Sequence, residues 1–407
     1  MKPAKTRLSV CTLVSFISLA GSITAHADDW PQWRGPNRTG ISAEKGWLNQ
    51  WPAEGPKQIW TASLGVGWSS FSVADGRVFT MGNENEVDKV YCFDALTGKA
   101  LWTHTYDCSS KDPNGYPGTR CTPTVDGELV YTVSRQGNMF CLDAKTGAVK
   151  WSKDFKKDFG SKPPTWGFSG SPLIETDWVL FEVGGKGASV VAFDKKSGDV
   201  VWKNGDDEPA YSSFIPFKLG EERCFPQFSK DQIIGRRMKD GQELWRQPWK
   251  TSYGVNAATP IIDGDTMFIS SGYGFGCALL KMSKDSATEV WRNKVMRNHV
   301  NSCVLLDGYL YGFDESKLKC IELKTGTEKW AQEQYGKGSL MLAAGKFIIY
   351  SGSGKLVSAE LTPEGCKEIS GFQALKDKDT WAPPVLANGK IYVRSRNQMV
   401  CLDVSGK

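Results

Sequence analysis

The chain has 407 residues, of which 43 are glycine and 16 tryptophan, and a formal net charge of +5. Abundant turn formers and few helix-favouring runs exclude a helical bundle and point to an all-β chain. The positive charge comes from scattered lysines, with no basic block interleaved with aromatics, which leaves nucleic-acid binding without support.

The first residues read as an address. Lys2, Lys5 and Arg7 form a charged start. Leu8 to Ala20 is apolar but too short to span a bilayer comfortably, and Ala25-His26-Ala27 supplies a small-residue cleavage signal before Asp28. Residues 1–27 are expected to be a secretory signal peptide, residues 28–56 an N-terminal extension and residues 57–407 a single domain. No cysteine follows the apolar stretch, so a lipid anchor is not expected, and no later run is long enough for a transmembrane helix. The expectation is a periplasmic or secreted monomer.

Such a compartment permits disulfides, and ten of the eleven cysteines lie beyond the leader. Cys92, Cys141, Cys320 and Cys401 occupy the same place in four repeats, and equivalent strands of different repeats stand too far apart to be bridged. Those four read as small buried residues. Cys108 and Cys121 flank one loop and are the best candidate pair.

Length alone would suggest two or three domains, but a repeat overrides that count. Cys92-Phe93-Asp94-Ala95-Leu96-Thr97-Gly98 leads to Trp102, and Cys141-Leu142-Asp143-Ala144-Lys145-Thr146-Gly147 leads to Trp151. Ala192 to Gly198 leads to Trp202, and Cys320 to Gly326 leads to Trp330. Two weaker copies, Gly235 to Trp245 and Lys281 to Trp291, keep the same spacing. The short alternating stretch is a strand, and the Thr-Gly or Asp-Gly is a hairpin turn. The next strand carries a tryptophan that can bury against the neighbouring repeat. A second hairpin signal precedes each unit, as at Asp75-Gly76, Asp126-Gly127, Asp263-Gly264, Asp307-Gly308 and Asn388-Gly389. Four antiparallel strands, here A to D, recurring every roughly 40–50 residues predict a propeller blade.

Six units end at Trp102, Trp151, Trp202, Trp245, Trp291 and Trp330. A seventh, from about Lys337 to Ile369, has lost its tryptophan. An eighth begins near Trp381 and stops one strand short, at Cys401-Leu402-Asp403. The missing strand stands at the other end of the chain, as Gln58-Ile59-Trp60-Thr61. The fold expected is therefore an eight-bladed β-propeller closed by an N-terminal strand, which removes the free edges of the sheets. Seven blades is the alternative, with the degenerate unit as an insertion.

The pattern apolar-Asp-x-x-Thr-Gly-x-x-x-Trp resembles the repeat of propellers named after pyrroloquinoline quinone (PQQ). That repeat is shared by quinoprotein alcohol dehydrogenases and by non-enzymatic bacterial propellers such as the scaffold of the outer-membrane assembly machine. The opening Trp30-Pro31-Gln32-Trp33-Arg34-Gly35-Pro36 is similar to the start of secreted PQQ-like repeat proteins of the polyvinyl-alcohol-dehydrogenase-like kind. The resemblance implies the fold over nearly the whole chain. For the enzymes it also implies PQQ held with a calcium by acidic and amide side chains, commonly beneath a disulfide of adjacent cysteines. Here no two cysteines are adjacent, the haem-attachment run Cys-x-x-Cys-His is missing, and no calcium ligand can be carried over. A binding or scaffold module is thus the leading expectation, with no cofactor or catalytic residue assigned. A PQQ-dependent dehydrogenase using an external acceptor is the alternative.

In a propeller the innermost strand of each blade faces the central channel. The segments leading into those strands carry Trp68, Arg120, Trp166, Tyr211, Asn256, His299, Lys337 and Trp381. These residues could ring one mouth of the channel. Cations and flat rings there suit a protein partner or a small anionic or aromatic ligand. No carboxylate is expected at this level, which argues against a tightly held calcium and an aspartate base. Asp206-Asp207-Glu208, in the loop entering the fourth blade, reads as solvated. His104 reads as a surface residue and Gly184 to Gly187 as a hairpin turn, not a nucleotide loop.

Overall fold

The computed structural model describes residues 29–112 and 114–406, together with residue 1. The leader with its cleavage signal lies outside the described residues. The described strands form eight antiparallel four-stranded blades in a ring, which settles the count against seven. The first blade is Ser72–Ala74, Arg77–Glu84, Val87–Asp94 and Ala100–Asp107. Six more follow in chain order, over residues 124–154, 173–204, 217–248, 261–293, 304–332 and 339–373. The eighth takes Val385–Ala387, Lys390–Arg394 and Gln398–Asp403 from the end of the chain and Gln58–Ser63 from its beginning. The Trp60 strand is the outermost of that blade, as the sequence predicts, and Trp60 pairs with Cys401.

The repeated motif is a lock between blades. Asp94 accepts from the backbone N–H groups of Leu96 and Thr97 and from the Thr97 hydroxyl, and Asp143 makes the same three bonds. This fixes a turn whose glycine is left-handed, with φ of +70° at Gly98 and +75° at Gly147. Any side chain on Gly98 would meet the Trp60 ring at 2.5 Å, and one on Gly147 would meet Trp102 at 2.7 Å. Glycine is therefore required twice over, for the turn and for the indole of the preceding blade. That indole donates to a carbonyl of the same turn: Trp60 to Ala95, Trp102 to Ala144 and Trp151 to Lys195. Trp202 and Trp245 face the two weaker copies, and their buried indole N–H groups have no partner. A bulge precedes every tryptophan, and in the seventh blade it falls between Glu368 and Ser370. Ser370 thus holds the lost tryptophan's place. Its hydroxyl accepts from Trp51 N–H and donates to Asn49, and Trp51 packs edge-on against Phe372 at 6.0 Å. The N-terminal segment so refills the gap that the degenerate repeat leaves.

The same segment plugs one end of the channel. Trp30 pairs with Val73 of the first blade, and Pro31 accepts from Val125 of the second. Arg38 donates to Ser171 and Pro172 ahead of the third blade and to Phe214 ahead of the fourth. Trp33 donates to Thr259, and Arg34 to Ser302 and Cys303. Ile41–Ser42 adds a parallel strand inside the seventh blade, and Glu44 accepts from Gly389 N–H of the eighth. Arg34 and Arg38 are buried against carbonyls alone, and burial lowers their pKa to about 10 and about 9.

All ten described cysteines are free. Cys92, Cys141, Cys320 and Cys401 are fully buried, as read from the repeat. The Cys108–Cys121 pairing is corrected: both thiols are free, Cys108 beside Asp88 and Ser134 and Cys121 beside Ser171 and Arg38. His104 is also corrected. Its ring is half-buried and packs edge-on against Phe140 at 4.8 Å.

One buried carboxyl ties stability to pH. Glu182 accepts from Gln227 Nε2 at 2.7 Å and from Ala210 N–H at 3.2 Å, and burial raises it from 4.5 to about 8. The folded state therefore favours the protonated form. The stabilisation is complete below the unfolded pKa and is lost as pH rises through the folded one. Glu182→Gln stays neutral, so its Tm should fall less than that of the parent between about pH 5 and about pH 9. Equal slopes for the two proteins would refute this role.

Candidate functional site

The loops entering each blade converge at the channel mouth and, with the plug residue Trp33, build one cavity of about 200 Å³. Trp68, Arg120, Trp166, Tyr211, His299, Lys337 and Trp381 all line it. Asn256 does not. It is fully buried, its amide donates to Ser229 and Lys230 carbonyls, and its oxygen accepts from the Ser271 and Thr251 hydroxyls. It ties the fourth blade to the fifth, so its place at the mouth is corrected. Wall residues that escaped the sequence reading include Tyr116, Tyr273 and the plug residue Trp33. Tyr273 stands between Gly272 and Gly274 at a hairpin tip, a turn signal that could have flagged it.

Trp68 and Trp381 stack with ring centroids 5.6 Å apart and planes 22° from parallel. The Arg120 guanidinium lies 5.3 Å from the Trp68 ring and Lys337 Nζ 5.9 Å from the Trp381 ring. Arg120 donates to the Tyr116 and Gly118 carbonyls and stands 3.6 Å from Asp112, which also pairs with Arg135 at 3.0 Å. Burial and the Arg135 charge lower its pKa to about 10, so it remains a cation at neutral pH.

Lys337 Nζ donates to His299 Nδ1 at 2.6 Å, with Glu315 3.6 Å from the lysine and 4.0 Å from the histidine. Burial, then the Lys337 charge, push His299 down to about 4. The imidazole is therefore neutral at physiological pH, and its approach to Glu315 is not an ion pair.

The expectation of no carboxylate at this level is corrected by Glu315, on a hairpin tip of the sixth blade, and by Asp112. Both are already engaged by cations. The solvated reading of Asp206-Asp207-Glu208 holds for the exposed Asp206 and Glu208 and is corrected for Asp207. Asp207 pairs with the buried Arg236 at 3.0 Å and with Arg246 at 3.2 Å, Asp206 accepts from Gly187 N–H, and Glu208 pairs with Lys230.

These residues fit a flat polycarboxylate such as a quinone, through two cations and the indole faces. They do not fit its calcium, which requires several oxygen ligands. Among the described residues no three His, Cys, Asp or Glu side chains converge, and both nearby carboxylates face cations instead.

Two kinds of known protein are among those similar to this chain. The outer membrane protein assembly factor BamB of Burkholderia pseudomallei is 29% identical over 158 residues, covering 38% of this chain and 37% of that protein. The dehydrogenase subunit of alcohol dehydrogenase (quinone) from Komagataeibacter europaeus is 31% identical over 159 residues, covering 35% of this chain and 20% of that protein. This chain thus spans little more than a third of the one relative and a fifth of the other. Among solved structures, BamB from Moraxella catarrhalis superposes with a TM-score of 0.60 at 15% identity, covering 85% of this chain and 99% of that one. A quinohemoprotein alcohol dehydrogenase from Pseudomonas putida gives 0.66 at 13% identity, covering 93% and 80%. Both likenesses speak for the fold alone. The family model described as outer membrane protein assembly factor BamB matches residues 88–332, well over half of the sequence, and the chain belongs to that family of PQQ-type repeat propellers.

Proposed function

We propose that this chain is an exported binding module whose site is the funnel at the channel mouth, and that it takes a small ligand carrying carboxylate on a flat ring. The observation that carries the reading is the aromatic and cationic lining of a cavity floored by the plug residue Trp33. Arg120 and Lys337 would hold the carboxylate, while Trp68, Trp381 and Trp166 offer apolar faces. Export is supported by the charged start, apolar stretch and cleavage signal of the first residues. No described helix is long and apolar enough to cross a membrane.

A second reading, PQQ-dependent alcohol oxidation, draws on the same lining and on the quinone dehydrogenases among the relatives. A bound quinone would supply acceptance of two electrons. Arg120 and Lys337 are the residues that would hold its carboxylates.

Titration with PQQ, with and without calcium and read by tryptophan quenching, separates the readings. Saturable, calcium-independent quenching is expected. A charge-assisted hydrogen bond contributes about 1.5–3 kcal/mol, so Lys337→Met should weaken binding roughly ten- to a hundredfold. No quenching at tens of micromolar would remove the funnel from consideration. Calcium-dependent dye reduction with simple alcohols would replace the binding module with the dehydrogenase.

A further inference from the structure

A second cleft adjoins the funnel. It measures about 460 Å³, is lined by Lys162, Pro164, Glu208, Lys230 and Tyr253, and shares Tyr211 with the funnel wall. The aromatic rings continue from one to the other. Trp166 in the funnel lies 6.1 Å from Tyr253, Tyr253 lies 5.8 Å from Tyr273, and Tyr273 lies 4.4 Å from His299.

Tyr253 and Tyr273 are both exposed, and both sit in left-handed backbone, at φ +61° and +53°. A bulky residue holds that conformation only where the surroundings enforce it, and such strain gathers at binding sites. Here it presents two phenol rings to solvent along the line that joins the two cavities. Burial of those rings in a folded core would need no such geometry.

We infer that the funnel and the cleft together bind an acidic oligosaccharide, one sugar ring in the funnel and further rings along Tyr253 into the cleft. This rests on the funnel reading proposed above and extends it. A pyranose ring can lay its C–H face on an aromatic ring while its hydroxyl and carboxylate groups keep polar partners. Cations stand in both cavities: Arg120 and Lys337 in the funnel, Lys162 and Lys230 in the cleft. Lys230 is paired with Glu208 at 2.7 Å, whereas Lys162 is exposed and has no ion-pair partner among the described residues. An extended peptide is the less suitable occupant. The walls of the cleft are loops and hairpin ends, so it lacks the open strand edge by which an extended backbone is usually read.

The full chain should be titrated calorimetrically with galacturonate and with its dimer, trimer and tetramer. Linking sugar units makes the later contacts intramolecular, so the trimer should bind at least about tenfold more tightly than the monomer. Tyr253→Ala and Lys162→Ala should bring the trimer back to the affinity of the monomer, and Lys337→Met should weaken every length. Affinity that does not rise with length overturns the inference. So does equal binding of neutral maltotetraose or of tetraglutamate. If PQQ binds the funnel and the uronates do not, the oligosaccharide inference fails while the funnel reading stands; if neither binds, both fail.

Discussion

Trp60→Ala should destabilise the propeller by roughly 3–5 kcal/mol, the range for removing a large buried ring. Trp60 is 7% exposed and rests between Phe93 of the first blade and Tyr392 of the eighth, each with ring centroids 6.0 Å away. Its N–H bond to the Ala95 carbonyl crosses the same seam. Losing the indole removes an inter-blade lock at the one place where the ring is joined by residues from both ends of the chain. A typical domain has only about 5–15 kcal/mol in total, so the effect is a large fraction of the whole. Denaturant unfolding of Trp60→Ala beside Trp330→Ala, a half-exposed ring within the continuous part of the chain, is the measurement. A cost at Trp60 no greater than at Trp330 would show that the seam bears no special weight.

Arg38→Ala should be nearly as damaging, for a different reason. The guanidinium is 1% exposed and donates to Phe214 at 3.0 Å, Ser171 at 3.4 Å and Pro172. Truncation strands the Phe214 and Ser171 carbonyls, while Pro172 keeps the Thr124 hydroxyl, and each unsatisfied buried group costs about 1–3 kcal/mol. The total should be about 3 kcal/mol or more. Arg38→Lys should not restore it, because a point ammonium cannot reproduce a planar fork shared among several carbonyls. Arg38 anchors the segment that carries Trp33, so quinone titration of the funnel should weaken in Arg38→Ala while staying unchanged in Trp330→Ala. Wild-type stability and titration in Arg38→Ala would mean that the plug is dispensable.

The sequence revealed the ring more fully than the plug. Blade count, turn type and the place of the Trp60 strand in the last blade were legible because one local rule recurs: Asp fixes a turn, glycine opens room and tryptophan fills it. Seven residues of the funnel were legible because the approach to each inner strand has the same register. Asn256 shares that register, yet the Ser271 and Thr251 hydroxyls draw its amide inward, a set of partners that the repeat does not signal. Trp33 and Arg38 obey no period, since one irregular segment touches many blades in turn. Glu315 arrived from a hairpin tip whose height over the mouth depends on strand length in another part of its blade. The refilling of the seventh blade by Trp51 was hidden for the same reason, although the missing tryptophan itself was visible.

The joining of Gln58–Ser63 to Gln398–Asp403 has a consequence for how the chain reaches its native state. During synthesis the strand that completes the ring is made long before its partner. Until that partner arrives, the outer edge of the eighth blade does not exist, and the Trp60 indole has only half of its pocket. Contacts this far apart in sequence raise the loop-closure entropy and slow folding. The blades between can form early as local hairpins, but their inner faces and the plug segment must wait for the circle. Before the circle closes the eighth blade carries an unpaired strand edge, the kind of surface that opens a folding chain to aggregation and to proteases.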